Sequence, residues 1–115
     1  MTVEYKLERQ AAFAYGYPST AGPRPKFVVK AGSTAMKGGS PNVKRKDWLT
    51  DELVRKGILA KHPSNPRLWV FQEDYEFTSS SAAGDVINDG NLSAPQYWKN
   101  TKTGKSLKED LSVSS

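Results

Sequence analysis

The residues with chemistry to offer are few. His62 is the single histidine. It lies in Lys61-His62-Pro63, where a general base would need a partner within hydrogen-bond reach that the sequence does not supply. There is no cysteine, so thiol nucleophiles, disulfides and thiolate metal sites are excluded. No serine occupies a Gly-x-Ser-x-Gly elbow. Glu73, Asp74 and Glu76 cluster, but without a second acidic group at a matching spacing they read as a solvated strand end, not a cation site. The Gly-rich segment 31–40 lacks the Gly-Lys-Ser/Thr that closes a phosphate loop. A basic, Gly-rich loop feeding a helix start still has backbone N–H groups that suit a phosphate. The expectation is a binding module with no catalytic residue, no metal and no cofactor.

Charge is more informative. The 115 residues carry a net charge of +5. Residues 1–62 hold 12 Lys/Arg against 5 Asp/Glu, and the remainder hold 5 against 7. From Arg9 to Lys46 there are eight basic residues and no acid. Such a single-sign stretch creates a local positive field. Lys44-Arg45-Lys46 sits near a predicted helix start, where the macrodipole disfavours cations. Either the three face an anion there, or the helix begins later, near Asp47, and they belong to the loop. With Arg24, Lys26 and Lys37 they form the predicted polyanion-facing set. Among the tryptophans, Trp69 reads as core and Trp48 as core edge. Trp98, followed by Lys99, is the candidate for partner contact, since an exposed indole can stack a base.

These residues need a scaffold. One domain is the size expectation. Alternation at Val3, Tyr5 and Leu7 predicts a first strand. Gly16, Pro18, Gly22, Pro23 and Pro25 make residues 10–25 read as a loop or irregular extension, not a helix, while Phe13, Tyr15 and Tyr17 at every second position leave open an added strand or a segment packed over one. Further strands are expected at Phe27-Val28-Val29, Leu68-Trp69-Val70-Phe71, Tyr75/Phe77 and Tyr97-Trp98-Lys99. A helix is expected from Ser40-Pro41, or from Asp47, to about Lys56, closed by Gly57. Another spans about 80–88, and a brief one carries Leu107 and Leu111. Interleaving without a βαβ rhythm gives an α+β fold: a small mixed or antiparallel sheet with two or three short helices. The N-terminus is charged and no apolar run is long enough to span a bilayer, so the cytoplasm is the expected compartment.

Several segments together resemble a known family: Phe27 to Ala35, Leu53 to Leu59, Trp69 to Ala83, Tyr97-Trp98-Lys99 and Thr103 to Leu107. Their order and spacing resemble a small domain of unknown function found at the C-termini of GIY-YIG nuclease and restriction-modification proteins. The later half is also similar to the restriction-enzyme adenine-methylase associated (RAMA) domain, through Ser79, Ala82, Ala83, Trp98 and Lys99. Ser93-Ala94-Pro95 stands where that family has Asn-Gly-Trp. The resemblance covers about 27–108. It divides the chain into an N-terminal extension (1–26), an accessory domain (27–111) and a tail (112–115), as a freestanding or excised copy.

The resemblance implies a noncatalytic accessory domain of DNA processing or phage defence. The expected partner is nucleic acid, DNA above all. The expected contacts are Arg24, Lys26, Lys37, Lys44, Arg45, Lys46, Trp98 and Lys99. The alternative is a protein-interaction module, such as a phage-encoded inhibitor docking on a nuclease or restriction complex through Phe13 to Tyr17.

Overall fold

The computed structural model describes residues 3–9, 11–22, 24–37, 48–88 and 94–113. They form an α+β globule with two antiparallel sheets. The strands are β1 (Tyr5–Arg9), β2 (Ala12–Pro18), β3 (Phe27–Val29), β4 (Thr34–Met36), β5 (Leu59–Lys61), β6 (Leu68–Phe71), β7 (Tyr75–Phe77) and β8 (Lys99–Asn100). The helices are α1 (Trp48–Arg55), α2 (Ser80–Asn88), α3 (Ala94–Tyr97) and α4 (Leu107–Val113). The larger sheet has the order β7-β3-β2-β1-β8, and the smaller β4-β6-β5.

One antiparallel ribbon belongs to both sheets. Phe27 faces Phe77 in the larger sheet and Met36 faces Leu68 in the smaller, so the pairing keeps one register as the strands change sheets. The corner lies at residues 30–33. Gly32 has φ +89°, a conformation that costs a side chain-bearing residue energy. Its N–H donates to Phe71 O, and Phe71 N–H donates back to Ser33 O. Asp74 Oδ1 accepts from Ala31 N–H at 2.8 Å, so this member of the acidic cluster caps the corner.

β2 replaces the expected loop with the strand that the alternation of Phe13, Tyr15 and Tyr17 left open. It is a seven-residue strand between β1 and β3. Its inward positions, Ala12, Ala14 and Gly16, are small and buried, leaving room for α2, which packs against β1, β2, β3, β4 and β7. A Cβ on Gly16 would collide with Val28 O and come within 2.5 Å of Phe27 Cε2. Ser33 Oγ and Thr34 Oγ1 accept the Tyr15 and Phe13 N–H groups at 3.0 and 2.8 Å, tying β2 to the corner. β1 and β2, both from the segment read as an N-terminal extension, are thus interior strands of the larger sheet.

Local signals set the helix ends. Ser79 Oγ caps α2 by accepting from Ala82 N–H. Ser106 and Glu109 form a reciprocal capping box on α4. At the end of α1, Ile58 N–H donates to Leu53 O and Gly57 N–H to Val54 O, with Gly57 at φ +77°. That is the Schellman pattern. The question of a start at Ser40-Pro41 lies outside the described residues. The Tyr5 hydroxyl donates to Asp110 Oδ2 at 2.6 Å. Burial, reinforced by that carboxylate, pushes the Tyr5 phenol up from its ordinary value.

Candidate nucleic-acid interface

The structure disperses part of the predicted contact set. Trp98 is corrected outright. Its exposure is 0%, its ring centroid lies 4.4 Å from that of Phe27, and its Nε1–H donates to Ser80 O at 3.3 Å. It joins the two sides of the core and has no face to offer a base. The strand expected at Tyr97-Trp98-Lys99 is instead the end of α3 followed by β8. Lys99 is exposed on β8, at the edge of the larger sheet, paired with Lys6 of β1. Arg24 and Lys26 are exposed in the β2–β3 connection, at the opposite end of the shared ribbon from Lys37. Lys44, Arg45 and Lys46 lie outside the described residues.

Other cations of the acid-free run are engaged within the fold. Lys30 Nζ meets Glu4 Oε2 at 2.7 Å, and that hydrogen bond holds its ammonium above the usual lysine range. Arg9 donates to Asn88 Oδ1 at 3.1 Å and lies over the Tyr97 ring.

What remains is a smaller and denser cluster, on the three-stranded sheet. Lys61 of β5 pairs with Trp69 of β6, and Trp69 with Ala35 of β4. Cross-strand partners share a face, as do residues two apart along a strand. Lys37, two beyond Ala35, and Arg67, two before Trp69, thus join Lys61 around the indole. Lys37 N–H donates to Arg67 O at 2.8 Å, which continues the register by one pair. Lys37 Nζ stands 4.7 Å from the Trp69 ring centroid. Such a cation–π contact fixes a flexible ammonium and is worth about 0.5–1 kcal/mol at an exposed site.

Lys37, Lys61 and Arg67 are exposed and Trp69 is half-buried, not the pure core residue its apolar strand suggests. Among the described residues, ion pairs join Lys6 to Glu8, Lys30 to Glu4 and Lys56 to Glu52. None engages the three cations of the cluster. Like charges opposite one another across strands oppose folding. An external anion would turn that cost into attraction.

Beside the cluster, the β5–β6 connection is held by its own side chains. His62 Nδ1 accepts from the N–H groups of Ser64 and Asn65 at 3.0 and 2.9 Å. Asn65 Oδ1 accepts from Arg67 N–H at 2.9 Å. The lone histidine thus shapes a turn. Among the described residues no group of acids and histidines could hold a metal ion, and no helix is long and apolar enough to cross a membrane.

Sequence reasoning found Lys37 but missed Lys61, Arg67 and the exposed side of Trp69. The available signal was the alternation Arg67-x-Trp69 after a proline turn, which puts a cation and an indole on one face.

A small α+β domain with exposed cations gathered around a half-buried tryptophan is the class of protein that these features define. The chain belongs to the family described as Domain of unknown function (DUF4357), whose model matches residues 6–111. That span takes in β1 and β2, in keeping with their place in the sheet. Searches of curated proteins and of solved structures found no match.

Proposed function

We propose that this domain is a noncatalytic DNA-binding accessory module acting in the cytoplasm, in the company of nuclease or restriction-modification proteins. The observation that carries the reading is the convergence of Lys37, Lys61 and Arg67 on Trp69 with no carboxylate paired to any of them. Lys44, Arg45 and Lys46 belong to the same proposal on the sequence alone, as part of the acid-free basic run. The link to GIY-YIG and RAMA-like systems rests on the segment resemblance, and supports DNA over other polyanions.

Phosphate contacts release counterions, so affinity must fall with salt. Three contacts predict a slope of log K against log salt of about −2.7 for duplex DNA and about −2.1 for a single strand. Participation of the 44–46 cations would steepen it. Fluorescence anisotropy over a salt series, with duplex, single-stranded and methylated DNA, measures this. A slope near zero, or no binding at low salt, refutes the reading.

A separate observation favours docking onto a protein as the second reading. Phe13 is 38% exposed on the outward side of β2, with Tyr15 at a centroid distance of 5.2 Å. Phe13→Asp is expected to abolish capture by a nuclease or restriction-complex partner and to leave DNA affinity within about twofold. Loss of DNA binding in this variant, with partner capture retained, would reverse the two assignments.

A further inference from the structure

We infer that the pocket beneath the β5–β6 connection takes the phosphate monoester of a nucleotide. The pocket has a volume of about 300 Å³ and is lined by Lys37, Lys61, His62, Ser64 and Asn65, with Pro63 and Pro66 as stiff walls. The inference rests on the nucleic-acid reading and assigns that face its terminal ligand.

The hydrogen-bond pattern of the lining decides the sign of the ligand. His62 Nδ1 is occupied as an acceptor of two backbone N–H groups, so the imidazole proton sits on the other nitrogen. Asn65 Oδ1 is occupied by Arg67 N–H, which leaves its amide NH₂ to donate. The Ser64 hydroxyl, 3.4 Å from His62 Nδ1, is a further polar group beside the cavity. Lys37 and Lys61 donate only. No carboxylate lines the pocket. Its polar groups are thus biased towards donors, a lining that suits an anion.

Size and charge narrow the class. The volume is at the lower end of those that ligand pockets show, enough for a phosphate and its sugar but not for a run of stacked bases. A phosphate monoester carries between one and two negative charges at neutral pH, whereas a phosphodiester within a strand carries one. Two lysines in the lining of one small cavity match the monoester. The same chemistry is presented by the end of a strand and by a free nucleotide.

Anisotropy and calorimetry separate these sources. The probes are one oligonucleotide with a 5′-phosphate, a 3′-phosphate or hydroxyl ends, and the free nucleoside monophosphate. The expected result is about tenfold tighter binding of a phosphate-ended strand than of the hydroxyl-ended one. Asn65→Asp, which keeps the acceptor for Arg67 N–H and places a carboxylate at the pocket, should bring the ratio of phosphate-ended to hydroxyl-ended affinity to about one, with both lowered by the charge set beside Lys37 and Lys61. A mononucleotide binding as tightly as the strand end supports the pocket and names the free nucleotide as its ligand. Equal binding of all strands overturns the pocket and leaves the DNA reading standing. Absence of binding by every strand and by the mononucleotide overturns both.

Discussion

Removal of residues 1–25 is expected to abolish folding. β1 and β2 supply Tyr5, Leu7, Ala12 and Ala14 to the core, all nearly or fully buried. Fully burying one leucine-sized side chain stabilises by about 1.5–3 kcal/mol, and a domain of this size has roughly 5–15 kcal/mol in total. The truncation also strips the hydrogen-bond partners from β3 and β8, leaving a larger sheet with no middle. Tyr15 and Phe13 no longer meet Ser33 and Thr34 at the corner, and Asn88 loses Arg9. Circular dichroism and thermal melting should show no cooperative transition. A truncated chain that melts cooperatively within about 5 °C of the full protein would show that the first two strands are dispensable.

The second large effect concerns the cation cluster. Lys37→Ala, Lys61→Ala and Arg67→Ala combined are expected to weaken DNA binding more than tenfold at low salt and to flatten the salt slope by about 2–3. Thermal stability should hold or rise slightly, because the variant removes side chains that are exposed and repel one another. That combination, lost affinity with stability kept, separates a binding face from a structural one. The change is also asymmetric among the three. Arg67 and Lys61 act as charges, while Lys37 is additionally fixed over Trp69, so Trp69→Leu should reduce affinity through lost ordering of Lys37 as well as through the indole itself.

Where the fold was legible, local chemistry was decisive. The alternation Tyr5-Lys6-Leu7, the β-branched Val28-Val29, and the helix over about 80–88 all read directly, because each signal is satisfied within its own segment. β2 was only half visible for a physical reason. Its inward residues are the small ones and its outward residues are aromatic, the reverse of the usual amphipathic strand. Close approach of Phe27 at Gly16 and of α2 across the inner face requires that reversal. Trp98 misled because its neighbour Lys99 is exposed; the indole lies at the junction of α3 and β8, where it enters the core while the lysine stays outside. The cluster itself was only partly visible. Lys37, Lys61 and Arg67 come together by long-range pairing of β4, β6 and β5, which no local pattern reports, whereas the described cations of the acid-free run, Arg9, Arg24, Lys26, Lys30 and Lys37, are spread by the fold over β1, the β2–β3 connection, the corner and the end of β4.

The central claim is that placement, and not total charge, carries the affinity. A matched comparison tests it. One variant replaces Lys37, Lys61 and Arg67 by Ala; the other replaces Arg24, Lys26 and Lys99, so each lowers the net charge by three. Measured by anisotropy against the same DNA at one low salt concentration, the clustered variant is predicted to lose more than tenfold and the dispersed one no more than about threefold. Equal losses in the two proteins, or a greater loss in the dispersed one, would contradict the account.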